Sequence, residues 1–286
     1  MTEKELLAER FEAHRTHLRA VAYRMLGSLS EADDAVQEAW LRLSRSDTDG
    51  VENLGGWLTT VVGRVCLDML RSRRSRGEEP LEARVPDPIV DSPDGIDPEH
   101  QALLADSVGL ALLVVLETLA PAERLAFVLH DMFAVPFDEI APMVGRTPAA
   151  ARQLASRARR RVRGSVPAPD SDLTRQRQIV DAFLTAARGG DFDALVAVLH
   201  PDVVLRADTG AGAPQEVHGA AAVAGQALMF QRLSHFARPA LVNGSMGIVT
   251  DVDGVPMAVM GFTIVDGKVR MIDILADAGR LRGLSL

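Results

Sequence analysis

Seven arginines stand within eighteen residues, Arg146, Arg152, Arg157, Arg159, Arg160, Arg161 and Arg163, with no acid among them. Guanidinium groups at that density neutralise a polyanion, and an Arg or Gln on the same face can donate to base edges in a DNA major groove. The surrounding run, PFDEIAPMVGRTPAAARQLASRARRRV over 136–162, carries the punctuation of two short helices. Phe137–Val144 stops at Gly145, and Thr147-Pro148 opens the next helix with a capping hydroxyl and a proline at the first helical position. That is helix-turn-helix spacing. In the second helix Ala151, Leu154, Ala158 and Val162 form the expected buried stripe, which turns Arg152, Gln153, Ser156, Arg157, Arg160 and Arg163 outward. The rival reading is a solvated arginine face on an ordinary helical hairpin. With no acid in the run to pair those arginines, DNA binding is favoured.

A second cationic cluster, Arg71, Arg73, Arg74 and Arg76, closes a helical pattern that begins at Trp57. The net charge of -8 argues against a nucleic-acid partner only until it is divided along the chain. Residues 78–120 carry one basic residue against ten acidic ones, so that stretch accounts for the excess and the remainder is almost neutral. Phosphate neutralisation is local and screened beyond about 10 Å, so two basic patches flanking an acidic connector remain compatible with DNA.

The last third of the chain poses a different question, through His200, Asp202, Asp208, His218 and Asp273. A carboxylate beside an imidazole in an apolar pocket suits proton transfer, as in an isomerase or cyclase. Alternation along strands says only that some of these residues face inward. Turn and strand-end roles are the preferred reading, with Asp208, His218 and Asp273 kept as candidate pocket residues for an unidentified small ligand. Cys66, the single cysteine, excludes a disulfide within the chain and an all-cysteine metal site, and its apolar run VVGRVCLDML reads as a buried inert thiol. No cofactor and no metal site is expected.

The elements that must position these groups fall into three textures. From Lys4 to Leu43 apolar residues recur at helical spacing with a break at Gly27-Ser28, and Ser30 followed by Glu31, Asp33 and Asp34 reads as a helix start. Residues 44–56 are turn-rich, and Trp57 to Arg74 resumes a helix. Residues 77–99 hold five prolines in acidic surroundings and read as a flexible linker. Asp97-Pro98-Glu99 restarts a helix through ALLADSVGLALLVVLETL. Beyond a Pro and Gly break at 164–169 come helices over Leu173–Arg188 and Asp191–Leu199, then β-rich runs with a hairpin at Val265-Asp266-Gly267-Lys268. A chain of 286 residues with ordinary apolar content and no apolar run of membrane-spanning length reads as a soluble two- or three-domain protein. Its N-terminus lacks a secretory signal, and a cytoplasmic location is expected.

Three segments carry a resemblance: SLSEADDAVQEAWLRL, then GWLTTVVGRVCLDMLRSRRSR, then PAERLAFVLHDMFAVPFDEIAPMVGRTPAAARQLASRARRRVRG. In order and separation they resemble regions 2 and 4 of extracytoplasmic-function (ECF) sigma factors of bacterial RNA polymerase. Where the commonest family form has a Val-Lys-Ser-Arg-Leu-like run, this chain reads Ala151-Arg152-Gln153-Leu154-Ala155, which is similar to the SigJ-like subgroup with its SnoaL-like (NTF2-like) C-terminal domain. The fold class so implied is multi-domain: two all-α domains, then an α+β NTF2-like cone. The boundaries are 1–76 for region 2, 77–99 for the linker, 100–164 for region 4 and 170–286 for the SnoaL-like domain.

The resemblance also implies roles. Asp33, Asp34, Gln37, Glu38 and Trp40 match the helix that docks on the β′ clamp helices of core RNA polymerase, with region 4 on the β flap. Residues 46–56 match the loop that captures a flipped base of the minus-10 element, and Arg64, Arg71, Arg73 and Arg74 match the helix that holds the promoter strand. Thr147, Arg152, Gln153, Ser156, Arg157 and Arg160 match the reader of minus-35. The function implied is a promoter-specificity subunit, not an enzyme, regulated in cis by its C-terminal domain. Two rivals stay open: a stand-alone helix-turn-helix regulator, and a SnoaL-like isomerase or cyclase with a regulatory N-terminus.

Overall fold

The structure, a computed structural model, describes residues 3–46, 53–75, 84–93, 95, 100, 109–165 and 169–285. They group into two compact units, one built from 3–75 and 115–165, the other from 84–100, 109–114 and 169–285.

The first unit is helical. Helices α1 (Glu3–Leu26), α2 (Leu29–Leu43) and α3 (Leu54–Ser75) bury Phe11, Leu18, Val21, Met25, Val36, Leu43, Leu58 and Val62, the apolar positions spaced three and four apart in the sequence. Helix α1 ends at Gly27, whose φ of +68° suits a residue without Cβ. Helix α2 starts earlier than the acidic run suggests: Ser28 is its N-cap, and the Ser28 hydroxyl meets that of Ser30 at 3.1 Å rather than a backbone amide. Helix α3 likewise begins before Trp57, because the Asn53 side chain accepts the Gly56 N–H at 2.9 Å and so closes the first turn. Helix α4 (Leu110–Glu117), whose residues 110–114 belong to the second unit, follows, then α5 (Pro121–Phe127), continued by a π turn at Val128–Met132, then α6 (Phe137–Val144) and α7 (Pro148–Ser165). Of the helix expected to restart at Asp97, residues 96–99 and 101–108 lie outside the described residues.

The second unit is a seven-stranded mixed sheet with helices. Its elements in chain order are β1 (Val90–Asp91), α8 (Leu173–Gly189), α9 (Phe192–Val198), β2 (Leu199–Asp208), β3 (Gln215–His218), α10 (Ala220–Met229), α11 (Gln231–Ser234), β4 (Ala237–Val242), β5 (Ser245–Val252), β6 (Val255–Val265), β7 (Lys268–Leu275) and α12 (Ala278–Leu281). The strand order is β1-β4-β5-β6-β7-β2-β3, with β2 and β7 parallel and the other described neighbours antiparallel. Asn243-Gly244, Asp253-Gly254 and Asp266-Gly267 all have both residues at positive φ, the requirement of type I′ hairpins. The third was expected, and the first two carry the same dipeptide signal.

Alternation splits the sheet into two apolar faces. Leu205, Leu241, Met246, Ile248, Phe262, Ile264 and Ile272 pack with Val180, Phe183, Leu184, Leu195 and Val223 of α8, α9 and α10. Ala240, Val242, Val249, Val259 and Leu275 face the other way and are covered by Val85, Val90, Leu110 and Leu281. The connector between the helical regions is therefore part of this unit, and the expected flexible linker over 77–99 is corrected for its described part. Val90 and Asp91 pair with Val242 and Leu241 as an edge strand, while Ile89 and Asn243 exchange hydrogen bonds at 2.8 and 3.2 Å. Composition misled because Val85 and Val90 are few but both land on one apolar sheet face. Gly261 makes room for this packing: a methyl group there would lie 2.9 Å from the Leu110 side chain.

Candidate nucleic-acid interface

Helix α7 begins as its sequence requires. Gly145 ends α6 at φ +64°, Pro148 occupies the first turn, and Thr147 Oγ1 accepts the Ala150 N–H at 3.3 Å. Its buried residues are Ala151, Ala155 and Ala158, with Leu154 and Val162 only half-buried, so the inward stripe turns slightly from the expected one. Small residues there let α7 lie close against α5 and α6. Thr147, Arg152, Gln153, Ser156, Arg157 and Arg160 are all exposed. Arg152, Gln153, Ser156, Arg157 and Arg160, at spacings of three and four, form one continuous helical face, and Thr147 caps the helix before it. The Arg152 guanidinium lies 5.7 Å from the ring centre of Phe137, which stacks on His130 at 3.8 Å.

The arginines are not wholly unpaired, as the sequence run suggested. Arg159 donates to Asp131 at 2.6 Å, and Arg157 and Arg161 stand 3.6 and 3.8 Å from Glu123. These acids come from α5 and the π turn, which a search of the run itself could not reveal. The pairing sorts the cations: Arg159 is half-buried and structural, whereas Arg152 and Arg160 leave their charge on the outer face.

On α3, Arg64, Arg71 and Arg74 are exposed, while Arg73 forms an ion pair with Glu31 of α2. Residues 47–52 of the loop matched to base capture lie outside the described residues. On α2, Asp33, Asp34 and Gln37 are exposed; Asp33 pairs with Arg19 at 2.7 Å and Glu38 with Arg42 at 2.9 Å. Trp40 is half-buried with its ring centre 5.2 Å from that of Phe11, so it braces α2 against α1. The exposed apolar residue is its neighbour Leu41, 38% exposed and on the Asp34 and Gln37 face. Its signal was an apolar side chain at a position where the helical pattern calls for a polar one.

The candidate pocket residues of the second unit are not brought together. Asp208 is buried on the face covered by the connector, where Oδ2 accepts from Val85 N–H at 3.3 Å and Arg280 at 3.1 Å, and Oδ1 accepts from Gly210 N–H at 3.0 Å. Arg280 also grips Asp87 at 2.5 Å, so one guanidinium joins connector and sheet. Asp273 is buried and pairs with Arg206 at 2.7 Å, and Arg206 reaches Glu216 at 2.9 Å along one cross-strand ladder. Burial pushes the Asp273 carboxyl up to about 6, with the Arg206 charge opposing it. His218, 66% exposed, meets only Glu216, at 3.3 Å, among the described ion-pairing groups. His200 bonds Arg270 at 2.7 Å. Asp208 and Asp273 thus lie on the sheet face away from α8–α10 and meet arginines, while His200 stands 3.9 Å from the exposed Asp202 and His218 meets Glu216. Burial pushes the Cys66 thiol up to about 12, as an inert thiol requires. Among the described residues no group of three or more His, Cys, Asp or Glu is placed to hold a metal, and no helix is long and apolar enough to cross a membrane.

Two family models match the chain: Sigma-70 region 2 over residues 10–76, and Sigma-70, region 4 over residues 109–162. The chain is 40% identical to the ECF RNA polymerase sigma factor SigJ of Mycobacterium tuberculosis, over 96% of this chain and 93% of that one. It is 33% identical to a probable ECF RNA polymerase sigma factor, SigI, of the same species, over 98% and 97%. The crystal structure of M. tuberculosis SigJ superposes with a TM-score of 0.77 at 38% identity, over 98% of this chain and 99% of that one.

Proposed function

We propose a division of labour within a chain that belongs to the ECF RNA polymerase sigma factors. As such a factor it binds core RNA polymerase and promoter DNA and directs initiation; it is not an enzyme, and RNA synthesis belongs to the polymerase. Residues 1–76 act as region 2, 77–99 as the connector, 100–164 as region 4 and 170–286 as a SnoaL-like regulator, at work in the cytoplasm.

Minus-35 is read by Thr147, Arg152, Gln153, Ser156, Arg157 and Arg160. The observation that carries this assignment is their exposure on one face of a helix capped at Thr147, with donors at its N-terminal end and cations farther along. Minus-10 is held by Arg64, Arg71 and Arg74 together with residues 46–56, with Arg73 as a brace to α2. Asp33, Asp34, Gln37 and Glu38 meet the β′ clamp helices, and Trp40 supports them from behind. Charge reversal at Asp34 and Glu38 together is expected to abolish co-purification with core polymerase. A folded double variant that assembles normally would overturn that assignment.

Regulation in cis is supported by the Asp87–Arg280–Asp208 arrangement, because the segment between the two DNA-binding regions is anchored by the C-terminal unit. An Asp87→Ala variant is expected to change promoter choice or transcript yield in a purified system. Unchanged transcription would leave the C-terminal unit without a regulatory role.

A further inference from the structure

We infer that Phe137, stacked on His130, positions the Arg152 guanidinium to read a guanine of minus-35, so that one step of promoter choice depends on a ring outside the reading helix. The inference deepens the assignment of Arg152 to minus-35 and rests on it.

Phe137 opens α6 without joining its core: Ile140, Ala141, Met143 and Val144 are buried, whereas Phe137 is half-buried. Its ring lies on that of His130, with centres 3.8 Å apart and planes 28° from parallel. The turn after the π turn aims His130 in its place. The His130 Nδ1 meets the Val135 carbonyl at 3.0 Å and must donate there, because a carbonyl only accepts. The Val135 N–H in turn donates to the Leu129 carbonyl at 2.8 Å. Between His130 and Val135, Ala134 takes φ +54°, a conformation unfavourable for a residue with a Cβ and kept only where the surroundings over-determine it. The two Val135 bonds supply that constraint, and the strained turn delivers His130 to Phe137.

Arg152 is exposed on α7 with its guanidinium over the Phe137 ring, 5.7 Å from the centre. Among the described ion pairs it has no carboxylate, unlike Arg157, Arg159 and Arg161. That difference has a chemical consequence. A carboxylate that holds a guanidinium also cancels its charge and occupies its N–H groups, and so competes with DNA. The face of a ring attracts the cation through its quadrupole and takes none of those donors. An arginine already held near its working position loses less conformational freedom on binding. Its N–H edge stays open, and that edge matches the paired O6 and N7 acceptors that guanine presents in the major groove.

The test scores holoenzymes carrying wild-type or variant full-length chains for occupancy of promoters with each of the four bases at every minus-35 position. Arg152→Ala is expected to erase a guanine preference at one position. Phe137→Leu keeps an apolar side chain but removes the ring, and is expected to lower preference at that same position about two- to fivefold, the range of an exposed cation–ring contact. Phe137→Tyr is expected to retain it. In an Arg152→Ala background Phe137→Leu is expected to change nothing further. An equal effect of Phe137→Leu in both backgrounds, or a loss spread over all positions, would make Phe137 a structural residue and overturn the proposal. Full preference in Phe137→Leu beside a clear loss in Arg152→Ala overturns the positioning role alone, whereas full preference in Arg152→Ala removes the reading beneath it as well. A second readout needs no DNA. In the free full-length chain the Arg152 Nε–H proton, identified by its disappearance in Arg152→Ala, is expected to move downfield in Phe137→Leu, because the ring current that shields it is gone. A resonance that stays in place would overturn the contact.

Discussion

Arginine is used in opposite ways on the outer face of α7 and in the sheet unit. On α7, Arg152 and Arg160 leave their guanidinium groups at the surface, and Arg157 stands at the edge of ion-pair range from Glu123. In the sheet unit Arg206 lies between Asp273 and Glu216, and Arg280 between Asp87 and Asp208. The first set keeps its charge available to a polyanion; the second consumes its charge inside the fold. Residue type and local density do not separate these roles, whereas the number of carboxylates within bonding distance does.

The largest effect expected from breaking this contrast is at Arg280. Removing it leaves Asp87 and Asp208 facing each other without their shared partner, and because the arginine is partly exposed the expected loss is about 2 kcal/mol rather than the full cost at a buried pair. Urea denaturation of the full chain should show it, beside the change in promoter choice or transcript yield expected of Asp87→Ala. Arg152→Ala inverts the pattern: stability is expected to hold, while minus-35 affinity falls by about 1–3 kcal/mol with relaxed preference at one base position. Footprinting that shows unchanged occupancy by the variant holoenzyme would remove Arg152 from the reading face. Arg157→Ala is expected to weaken binding by less and more evenly across sequences, because Glu123 already shares its charge.

Two pH effects sharpen the comparison further. Asp273 in the folded chain keeps its proton up to about 6, whereas an unfolded aspartate releases it near about 4. The native state therefore binds more protons across that window, and stability from this group falls as pH rises from about 4 to about 6. The stability difference between wild type and Asp273→Asn should follow that fall, and a flat difference would contradict it. The smaller effect is at His17, whose imidazole is held below its ordinary range by burial, with the His14 and Arg24 charges adding to it, while Thr59 and Phe133 complete its surroundings. The unfolded chain takes up that proton first as pH falls below about 6.5, so acid weakens the helical unit. His17→Gln should be less acid-sensitive in thermal denaturation.

Much of this molecule was legible in order along the chain. Gly145, Thr147 and Pro148 specify a helix stop and start by backbone preference alone, and the exposed face of α7 follows from a 3.6-residue period once the helix exists. Asp266-Gly267 specifies a hairpin in the same way, because few residues other than Asn, Asp and Gly tolerate two positive φ angles in succession. Where backbone preference is this strong the nearest few neighbours are enough, though the earlier starts of α2 and α3 at Ser28 and Asn53 escaped them.

What only the tertiary structure decided is which distant groups meet. Asp87 and Arg280 are nearly two hundred residues apart, and their pairing turns a proline-rich acidic stretch from an apparent free linker into a sheet edge. Asp208 and Asp273 could have lined a cavity; strand register sets both on the face that the connector covers, since a shift of one residue would have sent each to the other side. The acids beside the α7 arginines arrive from α5 and the π turn, and Trp40 faces Phe11 because α1 and α2 pack together. Charge pairing and burial act through space, and a local pattern carries no record of which remote segment will fill it.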